Sequence, residues 1–158
     1  MSGDRGLDIR PGRWTAEVEG DFVVFVIGAT IAPGQDLEDA LDDYSGGMLP
    51  MLDHLCAHPE LGLLGYHAPS PFLTVQYWRS FEHLESFASD TDSPHLRAWR
   101  QYQQRASGTG RSGIFHETFL VKAGRYETIY DNMPPTGLGA IGNLTPVDRT
   151  SARARLAR

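Results

Sequence analysis

The sequence predicts an α+β domain of the ferredoxin-like kind, in which helices cover one face of a four-stranded antiparallel sheet. Two observations predict this class. Apolar patterns along the 158 residues follow the order strand, helix, strand, strand, helix, strand, which is the split βαβ arrangement. The length suits one continuous core, because domains typically hold roughly 100 to 200 residues.

The first strand and the first helix are predicted from contrasting patterns. Residues 22–31 form a continuous run of β-branched and aromatic residues, which is typical of a strand buried on both faces. Apolar residues between positions 41 and 55 then recur at spacings of three and four, which predicts an amphipathic helix. We expect a kink or a restart at Pro50 and the end of the helix at His58.

The remaining strands and the second helical region are predicted from the same kinds of pattern. Residues 61–67 and 72–79 read as two strands of a hairpin, and residues 80–105 return to helical spacing with an interruption near 90–94. Residues 114–121 form the fourth strand, and 126–130 extend it.

One face of this sheet is expected to need a cover beyond the helices. Its strands carry apolar side chains on both faces, and water does not tolerate a large exposed apolar patch. A second copy of the sheet is the simplest cover, so we expect a homodimer that closes a barrel. The domain spans residues 20–142, preceded by a flexible arm over 1–19 and followed by a basic, disordered tail over 143–158.

Charge and hydropathy exclude two classes of partner. The formal net charge is −6, and binding phosphates requires a clustered positive face, so nucleic acid is not an expected partner. The longest apolar run, residues 22–27, is too short to span a bilayer, and the first residues lack the apolar stretch of a signal peptide. We expect no membrane partner and a cytoplasmic location.

Several segments, in order along the chain, carry a resemblance to a known family. They are HPELGLLG at 58–65, VQYWRSFEHLE at 75–85, HLRAWR at 95–100, HETFLV at 116–121, YETIY at 126–130 and NMPP at 132–135. Residues 20–142 closely resemble the fumagillin-pathway-type monooxygenase-like proteins. That family belongs to the dimeric α/β barrel superfamily, with antibiotic-biosynthesis monooxygenases, haem-degrading monooxygenases, chlorite dismutases and aldoxime dehydratases.

His95 is the position at which the resemblance implies a cofactor. In haem-degrading members of the superfamily, a histidine at about this place is the proximal iron ligand, so the resemblance implies that His95 would bind the iron of haem b. The residues alone leave another interpretation open. A histidine in the first turn of a helix also bonds to a backbone carbonyl or to water.

His116 and Glu117 are adjacent in the predicted fourth strand. Strand side chains alternate, so the two residues face opposite sides of the sheet and cannot act as a dyad on one face. Whichever of them faces an apolar pocket is a candidate acid or base. A paired structural role is the alternative for both.

One arginine and four aromatic residues complete the predicted site. Arg79 could anchor the carboxylate of a substrate or a haem propionate, because a guanidinium binds such groups bidentately, and a surface ion pair is the alternative. The predicted walls of the substrate pocket are Tyr77, Trp78, Phe87 and Trp99. Ordinary core packing would also explain these aromatic residues.

The resemblance implies an oxidoreductase: a small monooxygenase of secondary metabolism that holds an apolar biosynthetic intermediate. Two mechanisms suit it, one cofactor-free with His116 or His95 as the base, the other with haem bound by His95 and with Arg79 or His116 on the distal side. A haem-dependent lyase of the aldoxime dehydratase type is an alternative. A ligand-binding or accessory dimer without turnover is another.

Overall fold

The computed structural model describes residues 8–105, 108–110, 112–148 and 151–156, without the side chains of residues 42, 43, 45 and 46. The strands are β1 (Arg10–Glu17), β2 (Phe22–Ile31), β3 (Leu63–Ser70), β4 (Leu73–Trp78), β5 (Ser112–Val121), β6 (Tyr130–Met133) and β7 (Asn143–Pro146). The helices are α1 (Leu37–Ala57), α2 (Phe81–Ser89), α3 (Pro94–Arg105), α4 (Leu138–Ile141) and α5 (Ala152–Leu156). A 3-10 turn, Pro59–Leu61, leads from α1 into β3.

The chain divides into two compact units, and residues 22–120 form the central one. Its strands lie in the order β3-β4-β2-β5, in which β4 pairs antiparallel with both β2 and β3. With α1 after β2 and with α2 and α3 after β4, this is the split βαβ order. The predicted ferredoxin-like class is therefore confirmed.

Helix α1 begins where the chain turns back from β2. The Asp36 side chain caps it by accepting a hydrogen bond from the Glu38 backbone N–H at 2.8 Å, and acidic residues in the first turn favour the positive end of the helix dipole. The helix continues through Pro50 to Ala57 without the restart that the sequence predicts. Its residues Leu52 and Leu55 are buried.

The core of the central unit lies between the sheet and the helices. Its buried residues come from both layers and are Val23, Leu55, Leu63, Trp78, Leu84 and Phe87. Val23 pairs with Trp78 across β2 and β4, so the two side chains share the face that the helices cover. Apolar burial of this kind is the main term that stabilises the unit.

The second unit is formed by the two ends of the chain, and here the structure differs from the expected arm and tail. Residues 10–17 form β1, which pairs antiparallel with β6 on one side and β7 on the other. The Ala16 backbone N–H donates to Thr128 Oγ1 at 2.7 Å. Within the predicted tail, α5 contributes Arg155, whose guanidinium bonds to Glu127 at 2.8 Å.

The short strands of this unit escape prediction because their partners are distant in the chain. Arg10 pairs with Met133, and Ala16 pairs with Leu144, so β1 has no local signal that would distinguish it from a loop. Residues 126–129, predicted as a strand extension, have no strand structure. None of the helices in the described ranges combines the length and hydropathy needed to cross a bilayer.

Candidate functional site

A cavity of about 440 Å³ lies within the central unit, between the helix-covered face of the sheet and helices α1, α2 and α3. Its size is in the range of small-molecule sites, roughly 300 to 1,000 Å³. Strand alternation decides which sheet residues reach it. Those residues include Phe25, Ile27, Gln76, Trp78, Ile114, His116 and Thr118, and the helices add Met48, Met51, Leu55, Leu84, Phe87, His95 and Trp99.

His95 reaches the cavity because the chain breaks between α2 and α3. The buried hydroxyl of Ser93 donates to the backbone carbonyls of Phe87 at 3.2 Å and Asp90 at 3.0 Å, which fixes the turn before Pro94 starts α3. The imidazole then lies with its ring centroid 6.1 Å from that of Phe87. The predicted interruption of the helix is confirmed, and it positions this histidine.

The surroundings of His95 favour a neutral imidazole. Burial lowers its pKa below the usual value of 6.5, and the Ala88 backbone carbonyl acts in the opposite direction. Its Nδ1 atom is buried and has no hydrogen bond of acceptable geometry among the described residues. A neutral imidazole with an unsatisfied nitrogen can accept a proton, bind a metal or bond to a ligand.

His116 lines the same cavity from β5. Its ring centroid lies 5.3 Å from that of Phe25, and Thr118 lies two residues further along the same face. Glu117 points to the opposite face of the sheet and does not line the cavity. The structure therefore brings two of the three predicted catalytic residues, His95 and His116, to one cavity and separates Glu117 from them.

The predicted pocket walls divide in the same way. Trp78, Phe87 and Trp99 line the cavity, with Trp78 and Phe87 in ring contact at 5.8 Å. Tyr77 belongs to the other face of β4, because it alternates with Trp78. Arg79 is exposed beyond the end of β4 and does not line the cavity either.

Several polar residues on the cavity wall were not predicted from the sequence. Gln76 follows Thr74 and precedes Trp78 on the inward face of β4, and this spacing of two could have identified it. Tyr44 from α1 donates its hydroxyl to the Ile27 carbonyl at 3.4 Å, and burial raises its pKa. Gln35 precedes α1 and carries no recognisable signal in the sequence.

The donor set of the cavity fits haem, the cofactor that the resemblance implies. His95 offers a neutral imidazole whose buried Nδ1 atom has no hydrogen-bond partner among the described residues, and it would hold the iron. Aromatic and aliphatic walls suit the macrocycle, and Arg105 lines the cavity as a guanidinium of the kind that binds propionates. Among the described residues, no group of three or more His, Cys, Asp or Glu side chains could hold a metal ion directly.

Two solved structures resemble this fold. One is an aldoxime dehydratase in complex with butyraldoxime, with a TM-score of 0.64 and 20% identity over 84% of this chain and 41% of its own. The other, also an aldoxime dehydratase, has a TM-score of 0.63 and 22% identity over 87% of this chain and 43% of its own. At these identities the similarity establishes the fold alone.

Sequence comparison identifies the family. A curated relative, "Monooxygenase af470" of Aspergillus fumigatus (strain ATCC MYA-4609 / CBS 101355 / FGSC A1100 / Af293), is 32% identical over 161 aligned positions. The alignment covers 84% of this chain and 54% of the relative, so the chain spans about half the length of that protein. The family model described as "Monooxygenase af470-like" matches residues 22–138, which include the whole cavity. The chain belongs to the monooxygenase af470-like family.

Proposed function

We propose that this chain is a small monooxygenase-like oxidoreductase that oxidises an apolar biosynthetic intermediate bound in the cavity of the central unit. One observation carries the proposal: the buried, unpartnered Nδ1 atom of His95 faces a cavity whose walls are otherwise largely apolar. A half-buried ionisable group in a cleft with a lowered pKa is typical of functional sites. Family membership adds the reaction class.

In the cofactor-free form of the reaction, the substrate itself reduces dioxygen. His95, neutral near pH 7 because burial lowers its pKa, removes a proton from an acidic CH₂ group, and His116 on the facing strand is the second candidate base. The carbanion transfers electrons to O₂. One oxygen atom becomes the new carbonyl, and the other leaves as water together with the two hydrogens of the CH₂ group.

In the haem form, His95 would hold the iron and Arg105 a propionate. When bound, haem would supply an iron centre for oxygen chemistry. The chain's own contribution is to position the macrocycle between aromatic walls and to exclude water. Arg79, the anchor expected from the sequence, lies outside the cavity, so we assign the propionate to Arg105 instead.

We further propose that the outer face of the sheet is covered by a second copy of the chain. This face, which carries Glu117 and Tyr77, also exposes Phe115 and Phe119, an apolar surface of the kind that marks an interface. The chain spans 54% of its curated relative, so that relative has length for a second domain of similar size. A barrel closed by two such sheets is therefore the assembly that we expect.

Spectroscopy and turnover together test the proposal. Anthrone is a suitable probe, because its acidic CH₂ group lies between two aromatic rings and its oxidation to anthraquinone consumes one O₂ and releases one water. We expect anthraquinone to form without added cofactor or only after haem uptake, which a Soret band would report. His95→Ala should abolish the reaction or the Soret band. His67 is an exposed histidine on β3, so the control variant His67→Ala should change neither.

The outcomes separate the alternatives. Haem uptake with loss of water from an aldoxime, but no anthrone oxidation, would point to a lyase. Tight binding of anthrone without turnover in either form would point to a ligand-binding protein. Full activity in both His95→Ala and His116→Ala would contradict the site assignment.

A further inference from the structure

Two side-chain polar atoms in the described residues are buried without a hydrogen-bond partner, and both belong to residues that line this cavity. They are His95 Nδ1 and Gln35 Oε1. The proposed reaction uses His95, but it gives no role to Gln35. Buried polar groups are nearly always hydrogen-bonded in native proteins, so an amide oxygen on a cavity wall without a protein partner is an acceptor available to a donor group of a ligand.

The backbone around Gln35 holds this residue in place. Its N–H donates to the Ala32 carbonyl at 3.1 Å, which closes the turn after β2, and Asp36 immediately begins the capping of α1. Gln35 therefore lies just beyond the carboxyl end of β2. The backbone of Gln35 is therefore held between a closed turn and the start of a helix.

His95 lies in the first turn of α3. Its ring is near Phe87, Phe87 is in contact with Trp78, and Trp78 pairs with Val23 at the start of β2. Gln35 follows the carboxyl end of β2, so the two unpaired atoms belong to different parts of the cavity wall.

We propose that Gln35 determines specificity by accepting a hydrogen bond from a hydroxyl or N–H group of the ligand. This inference rests on the proposed function, because it takes the cavity as the substrate site. The substrate class becomes narrower. It is a molecule with an apolar body, a reacting group near His95 and a hydrogen-bond donor that reaches Gln35. A ligand without that donor leaves the Gln35 oxygen buried and unpaired.

Two biphenyl probes of nearly the same shape test this assignment. 4,4′-Dihydroxybiphenyl has a donor at each end, and 4-fluoro-4′-hydroxybiphenyl lacks one of them. Isothermal titration calorimetry on the wild-type chain should give about tenfold tighter binding of the dihydroxy compound, which corresponds to one net hydrogen bond. In Gln35→Met this preference should fall to about twofold or less. About twofold remains because the symmetric dihydroxy compound can bind in two equivalent orientations.

Two further variants complete the experiment. Gln103→Met makes the same change on the exposed side of α3 and should keep the tenfold preference. Gln35→Glu retains an acceptor oxygen and should keep the preference as well. If Met and Glu at position 35 both abolish it, the amide N–H₂ group makes the contact and the ligand carries an acceptor, which overturns the assignment.

The outcomes distinguish this inference from the proposed function. Equal preference in the wild-type chain and in Gln35→Met, with both probes bound, overturns only the role of Gln35. Failure of both probes to bind the folded wild-type chain overturns the inference together with the cavity as a site for apolar ligands. Circular dichroism of each variant establishes that the comparison concerns folded protein.

Discussion

Trp78 donates its indole N–H to the side-chain oxygen of Gln76 at 3.0 Å, two residues earlier on the same face of β4. Both side chains are buried in the cavity wall. The Gln76 amide nitrogen in turn lies 3.4 Å from Thr74 Oγ1 and 3.8 Å from the Met48 sulfur. Thr74 and Gln76 thus form a short polar strip in a largely apolar site, and Gln76 provides the hydrogen-bond acceptor for the Trp78 indole N–H.

Replacing Gln76 by leucine should destabilise the chain. The substitution keeps the volume but leaves the Trp78 indole nitrogen without its acceptor, and a buried unpaired donor costs about 1 to 3 kcal/mol. Urea unfolding followed by circular dichroism measures the loss. The matched change Gln103→Leu on the exposed surface of α3 should stay within about 0.5 kcal/mol. Equal stability of the two variants would contradict a structural role for this bond.

The pH dependence of stability should report the buried state of His95. Its folded pKa is lowered by burial, so below about pH 6.5 the unfolded chain binds a proton at this residue that the folded chain does not. The stability that the neutral His95 ring contributes is fully present above the pKa of the unfolded chain. It is lost as the pH falls toward the pKa of the folded chain. The wild-type chain should therefore lose more unfolding free energy between about pH 7 and pH 5 than His95→Gln.

A direct titration provides the independent measurement. The imidazole signals of His95 in an NMR titration should have a midpoint below the usual value of 6.5. A midpoint at or above that value would mean that the ring is hydrated or paired, and the argument for a neutral base at neutral pH would fail.

Strand periodicity made the central unit predictable from the sequence. The residues that line its cavity could be predicted only in part. Alternation along β5 correctly separates His116 from Glu117, but the same rule, applied to β4, excludes Tyr77 once Trp78 is known to face inward. The inward face could not be chosen from residues 72–79, because both faces of that strand carry aromatic or β-branched side chains.

The terminal unit and Gln35 were out of reach for a different reason. Strand β1 is defined by pairing with β6 and β7, more than a hundred residues away, and such contacts leave no local periodicity. Gln35 is significant only because a turn brings it to the cavity wall, where its amide oxygen has no hydrogen-bond partner among the described residues. Burial without a hydrogen bond is a property of three-dimensional packing.

Gly28 should tolerate no larger side chain without displacement of Phe115. A Cβ atom at Gly28 would lie 2.6 Å from Phe115 Cε1 and 3.1 Å from Leu73 Cδ1 on the outer face of the sheet. Gly28→Val should therefore cost about 1 to 3 kcal/mol in urea unfolding. Combining it with Phe115→Ala should recover much of that loss, because the two residues contact each other. If the losses of the two single variants simply add in the double variant, the ring of Phe115 is not what excludes a larger side chain at position 28.

Phe119 tests whether the outer face is an interface between copies. Its side chain is 50% exposed and shares the face with Phe115, which is 45% exposed, so both would be covered when two sheets meet. A carboxylate in such an interface would be buried without a partner, and the free energy of desolvating it would oppose association. Phe119→Asp should therefore turn a dimer into a monomer of 17.5 kDa in analytical ultracentrifugation, with little effect on the stability of the single chain.

The control removes an equally exposed apolar residue elsewhere. Leu49, 55% exposed on α1, lies on the helical layer and not on the sheet, so Leu49→Asp should leave the dimer intact. Dissociation by both variants would indicate a nonspecific effect of added charge. A wild-type chain that sediments as a monomer at every concentration would exclude self-pairing, and the exposed sheet face would then require a different protein domain as its cover.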